Sequence, residues 1–169
     1  MNRITIAVTL ALVTAGVNAE SKRYSQVADF AGEKVVLHES LAYFLAIDSG
    51  EVKPLENRIA SETDAVEIER LARRLFDLGD GEQLLNLAEA HERRMDLIGA
   101  YAHYYALDKL AKMNAKRLPP DAVVRGPYFA AIAKQVERLN ARISPQQKAS
   151  AIKQAARLIR DNPNCCLAM

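Results

Sequence analysis

The longest unbroken helical pattern in the chain, Asp80 to Leu118, sets the terms for everything around it. It holds no proline and one interior glycine, Gly99. A helix over the whole span would be about 55 Å long at about 1.5 Å per residue, more than the width of a small domain. The shorter apolar segments must then find their partners along it. The expected fold is all-α: a single-domain bundle of about five helices around a long central helix at 80–118.

On a straight helix Leu84, Ala88, His91, Met95, Ile98, Ala102 and Met113 gather on one side, with Leu97, Tyr101 and Tyr104 as a second, weaker strip. Between them Glu89, Glu92, Asp96 and His103 fall close to one line. Three acids and a histidine in line are candidate cation ligands if another helix supplies more. The plainer reading is a solvated charged face. The Glu-x-x-His pairs of di-iron carboxylate bundles are missing. His38-Glu39 and His91-Glu92 also fail the zinc-protease spacing, because Ala42 and Met95 stand where the second histidine is needed. His38 and His91 are read instead as core histidines on apolar faces.

The other elements are read from their ends. Tyr24 to Ile47 is expected as the first helix, with Val27, Phe30, Ala31, Val35, His38, Leu41, Ala42 and Leu45 on a broad face. Asp48-Ser49-Gly50 stops it, and Pro54 keeps the connection from continuing the helix. A second helix starts near Ser61-Glu62-Thr63-Asp64, with Leu55 to Ile59 already helical on one reading. Gly79 closes it, and Asp80 with Gln83 makes a capping box. Pro119-Pro120-Asp121 breaks the chain after the long helix, and Val123 to Arg125 has room for an extra turn. Gly126-Pro127 opens a fourth helix. Ser144-Pro145-Gln146-Gln147 starts a fifth, expected to bury Ala149, Ile152, Ala156 and Ile159. No stretch shows sustained period-two alternation, so no strand is expected.

The two ends are read apart from this body. A weakly basic Met1-Asn2-Arg3, an apolar run from Ile4 to Val17 and the small-x-small Val17-Asn18-Ala19 read as a secretory signal, residues 1–19, cleaved ahead of a helical domain at 20–161. The run is too short to span a bilayer comfortably. Residues 162–169 are expected as a flexible tail carrying Cys165 and Cys166. In an oxidising compartment these neighbours are open to an intermolecular bridge or a vicinal disulfide. Cys166-Leu167-Ala168-Met169 also fits the loose prenylation pattern, which conflicts with a secretory signal.

Net charge is +2, but the two signs are separated along the chain. From Glu20 to Arg70 eleven acids face six bases, whereas Lys112 to Arg160 has eleven bases against Asp121 and Glu137. Lys134, Arg138 and Arg142 recur on the fourth helix, and Lys153, Arg157 and Arg160 on the fifth. In a hairpin the two stripes would form one cationic face for an acidic protein; a membrane surface is a further candidate. Nucleic acid is not expected, for want of interleaved aromatics. The plainer reading pairs the acidic and basic regions within the fold or across a homodimer.

No assembled catalytic set and no cofactor motif is evident, so neither an enzyme nor a cofactor is expected. The expected function is that of an exported, periplasmic or secreted, helical protein that binds another protein, as an inhibitor, an immunity-type partner, a secretion accessory or a chaperone would. The competing classes are a carrier of a small ligand or metal built on His38, His91 and His103, and an enzyme with a scattered site around Glu92, Asp96 and His103.

Overall fold

The computed structural model describes residues 25–39, 41–115, 126–162 and 164–167. Over these residues the chain is mostly helical, as expected, but it opens with a hairpin where a helix was expected. Strands β1 (Ser25–Phe30) and β2 (Glu33–Glu39) pair antiparallel, Val27 opposite Val36 and Ala28 opposite Val35. Ala31 and Gly32 form the turn at φ 53° and 95°, the two positive values that suit a tight hairpin. Ala28, Phe30, Val35 and Leu37 are buried, and Val27, Asp29, Lys34 and Val36 are exposed. That is period-two alternation. It is disguised in the sequence because two outward positions, Val27 and Val36, are themselves apolar. The helix expected over Tyr24–Ile47 is therefore reduced to α1, Leu41–Asp48, closed by Gly50 at φ 76°.

Local end signals explain the next elements. Helix α2 (Val52–Ser61) takes in the stretch beyond Pro54 and buries Val52, Leu55 and Ile59. Asp64 caps α3 (Ala65–Leu78), its carboxylate accepting from Val66 N–H at 2.8 Å and Glu67 N–H at 2.9 Å. Gly79, at φ 109°, closes it. At the end of the chain Ser144 and Gln147 form the expected capping box of α7 (Pro145–Arg160). Ala151, Ala155, Ala156 and Ile159 are its buried residues, while Ala149 is exposed. Helix α6 (Gly126–Asn140) buries Ile132 and Leu139. The expected break at Pro119–Asp121 and the turn at 123–125 lie outside the described residues, as does the segment read as a signal.

The long helix expected over 80–118 is two helices, α4 (Gln83–Arg93) and α5 (Leu97–Ala115). Met95 stands at φ 63°, in the left-handed region. Its N–H donates to the Glu92 carbonyl at 2.9 Å and Asp96 N–H donates to the His91 carbonyl at 3.0 Å, the bond pair that closes a helix around a left-handed residue. Asp96 then opens α5, its Oδ1 accepting from Gly99 N–H at 2.9 Å. Glycine or asparagine usually marks such a corner, and methionine gives no sign of it.

Helix α5 is still the central post, packing on α4, α6 and α7. Helix α7 in turn covers the inner face of the hairpin, and α2, α3 and α4 follow one another in contact. Phe30 meets Tyr105 of α5 edge-on at 6.3 Å between ring centres. The segment expected to be a flexible tail is docked over its described residues. Asn162 is buried and its side-chain N–H donates to the Phe76 carbonyl, while that of Asn164 donates to the Asp77 carbonyl at 3.0 Å. These carbonyls end α3 and would otherwise lack a helical partner. Strand β3 (Cys166–Leu167) then runs parallel to β2, with Cys166 beside His38. Among the described residues no helix is long and apolar enough to cross a membrane.

Candidate functional site: a buried histidine pair at a helix corner

The densest cluster of titratable groups sits at the α4–α5 corner, where α3 crosses it. His91 ends α4 and His103 lies one side of α5, and their rings stack at 4.7 Å between centres with 24° between planes. On a straight helix residues 91 and 103 would point about 120° apart. The corner brings them together. His91 Nδ1 lies 2.8 Å from Asp96 Oδ2, and its Nε2 lies 3.6 Å from Glu69 Oε1 on α3. Arg94 pairs with the other oxygen of Glu69. Gly99 makes the arrangement possible: a Cβ there would stand 2.5 Å from His91 Nδ1.

His103 is fully buried. Its Nδ1 lies 2.8 Å from the Gly99 carbonyl and its Nε2 lies 3.4 Å from an Arg73 nitrogen. A carbonyl can only accept and a guanidinium can only donate, so these partners select the neutral ring with its proton on Nδ1. Burial lowers the His103 pKa to about 3; the Gly99 carbonyl opposes this, and His91 and Arg73 add to it. Burial works against the Asp96 carboxylate, yet the Gly99 N–H together with His91 and Arg94 holds its pKa below the ordinary value. Both ring nitrogens of each histidine are thus engaged. A general base needs a nitrogen presented to a substrate, and here the geometry ties helices together instead.

The sequence line Glu89, Glu92, Asp96 and His103 is divided by the corner. Glu89 is exposed on α4, where it borders a cleft of about 220 Å³ with Glu62, Asn86 and Arg93. Glu92 pairs with Arg138 of α6 at 2.6 Å. Asp96 and His103 join His91. Among the described residues no group of three or more His, Cys, Asp or Glu is placed to hold a metal ion. His38, expected on an apolar face of the first helix, lies on β2.

The cationic candidates are likewise distributed over several surroundings. Helices α6 and α7 each pack on α5 and scarcely touch one another, so their stripes do not form the face of a hairpin. Arg138 is tied to Glu92, and Arg160 lies 3.4 Å from Glu33 on β2, joining the basic and acidic regions within the fold. Beside Arg138, burial raises the Tyr104 hydroxyl to about 12, helped by Glu89 and Glu92. Lys134, Arg142, Lys153 and Arg157 are exposed. Arg157 borders a cleft of about 280 Å³ between α3 and α7, which also takes in Arg73, Phe76, Asp77 and Asp161. Cys165 is buried and disulfide-bonded, and the chain has one other cysteine, Cys166.

Sequence reasoning singled out Asp96, His91 and His103, but it read Glu69 and Arg73 as a pair on the exposed side of the second helix, where instead Glu69 meets His91 and Arg94 and Arg73 meets His103, and it gave Gly99 no role. The lone glycine inside a helical pattern was the available signal, since such a glycine commonly has a packing reason. The chain matches no family model, and comparison with curated proteins and with solved structures likewise finds no match.

Proposed function

We propose that this is an exported protein that works by binding another protein, and that the partner docks on the outer face and free edge of the N-terminal hairpin. The observation that carries this reading is the cross-strand pair Val27 and Val36, which lie opposite each other and are 59% and 48% exposed. Apolar side chains paired on an open sheet face are an interaction surface in waiting. Among the described residues strand β1 is also an edge of the sheet, with order β1-β2-β3, and an extended segment of a partner can add to such an edge through main-chain hydrogen bonds. The basic stripes are the weaker candidate, because Arg138 and Arg160 already have acidic partners. Export rests on the signal-like segment Met1 to Ala19.

The test compares capture by three forms of the full chain expressed from its own leader: wild type, Val27→Lys/Val36→Glu, and Lys153→Glu/Arg157→Glu. A protein held by the wild type and the charge-reversed α7 variant, but lost by the hairpin variant at unchanged melting temperature, supports the reading. Loss in the α7 variant alone would move the interface to the basic stripe.

A further inference from the structure

We infer that the cleft between α3 and α7 is a binding site for a small zwitterion, a short ω-amino acid whose carboxylate meets Arg73 and Arg157 and whose ammonium meets Asp77 and Asp161. The cleft shares no residue with the outer face of the hairpin. Helices α3 and α7 scarcely touch, and the space left between them measures about 280 Å³. Ligand clefts start near about 300 Å³, so this one suits a molecule the size of a short amino acid and is too small for a nucleotide or a lipid. Its polar groups are open. Among the described residues the guanidinium of Arg157, the amide of Gln154 and the carboxylate of Asp77 have no hydrogen bond or ion pair. By contrast Arg58, Arg74, Arg94 and Arg138 each hold a carboxylate. Arg73 is the fixed member. His103 Nε2 lies 3.4 Å from one of its nitrogens, and its guanidinium carbon stands 5.7 Å from the centre of the Phe76 ring. A guanidinium has five N–H groups, so this anchoring leaves donors for a carboxylate in the cleft. A side chain held in place beforehand also loses little freedom on binding.

The placement of charge selects the ligand. On each wall the arginine stands one helical turn, about 6 Å, before the aspartate: Arg73 and Asp77 on α3, Arg157 and Asp161 at the end of α7. The ends of the two helices are joined, because Asn162 and Asn164 donate to the Phe76 and Asp77 carbonyls. Both aspartates therefore gather at one end of the cleft and both arginines at the other. The two helix C-termini add partial negative charge at the aspartate end. Base before acid is the weaker order for a pair four residues apart. Neither pair closes here, whereas Asp108 and Lys112, in the other order, meet at 2.6 Å. Asp161 has only Arg160 Nε, at 4.0 Å. Burial raises the Asp77 carboxyl against the pull of Arg73, and an ammonium beside it would relieve that cost. Between the charged ends Phe76 and Leu158 offer an apolar floor to methylene groups. The four charges cancel, so a singly charged ligand loses at one end what it gains at the other. An α-amino acid carries both charges at one carbon and does not reach both levels.

The test is calorimetric titration of the purified full chain with 4-aminobutyrate, its isomer 2-aminobutyrate, butyrate and butylamine. Saturable one-to-one binding of 4-aminobutyrate is expected, at least about tenfold tighter than that of the other three. Arg157→Gln and Asp161→Asn, both at exposed positions, should each weaken it by about tenfold at an unchanged melting temperature. No saturation by about 10 mM would overturn the site. So would equal binding of 2-aminobutyrate or of either singly charged analogue, or binding that both substitutions leave intact. The titration contains no protein partner, so its outcome is independent of capture at the hairpin.

Discussion

Two corners of this molecule are built to one plan from different residues. At the end of α3, Gly79 takes the left-handed position, its N–H bonding the Phe76 carbonyl, and Asp80 N–H bonds the Leu75 carbonyl before Asp80 opens α4. At the end of α4, Met95 and Asp96 repeat the arrangement. Asp80 is buried and meets the amide of Gln83 at 2.8 Å, whereas Asp96 meets a histidine. The first corner is local, since its glycine and cap would turn the chain in any context. The second is imposed from outside, by groups on α3 and further along α5.

Acid should separate the two corners most strongly. His103 has a folded-state pKa lowered to about 3, so its contribution is fully present above the unfolded value near 6.5 and is lost as pH falls toward 3. The full shift corresponds to roughly 4–5 kcal/mol. Asp96, also lowered, loses its contribution in the same direction at lower pH. Asp80 has the opposite sign: burial raises its pKa against the Gln83 and Glu82 N–H groups, so acidification relieves it. Denaturation midpoints from pH 8 to 4 should therefore fall steeply in the wild type and much less in His103→Gln. Equal slopes would mean that His103 is not the controlling group.

Gly99→Ala is the next largest effect. Alanine normally favours a helix interior, but here its Cβ would stand 2.5 Å from His91 Nδ1 and against the Asp96 carboxylate. A loss of about 2 kcal/mol is expected in equilibrium unfolding, by the usual cost of overpacking. Met95→Gly should act in the other direction, raising stability by about 1 kcal/mol as the left-handed strain is removed. The matching change at the first corner, Gly79→Ala, should cost about 1 kcal/mol, and the opposite signs would confirm that the corners share a backbone plan. Arg138→Ala should be smallest, below about 1 kcal/mol, because its pair with Glu92 is partly exposed.

Legibility in the sequence followed the same division. The helix end at Gly50, the cap at Ser144, the close of α3 at Gly79 and, within Ser61–Asp64, the start of α3 could be read, because each depends on residues within one turn. The hairpin could not, since Val27 and Val36 on its outer face filled the gaps that would have revealed alternation. The His91–His103 stack was hidden by the straight helix assumed between them, on which the rings diverge. Glu69 and Arg73 reach the site from another element, and no spacing within one helix announces such a meeting.

The layering of the hairpin bears on how the chain is made. Ala28, Phe30, Val35 and Leu37 leave the ribosome well before α7, the helix that covers them. Strand β3, which completes the sheet, follows later still. Until α7 is made, this apolar strand pair lacks the cover that helix gives it in the folded chain, the condition under which nascent chains associate wrongly. The growing polypeptide is thus most vulnerable to aggregation before α7 emerges, and a shielding factor acting on the hairpin would have its greatest effect in that interval.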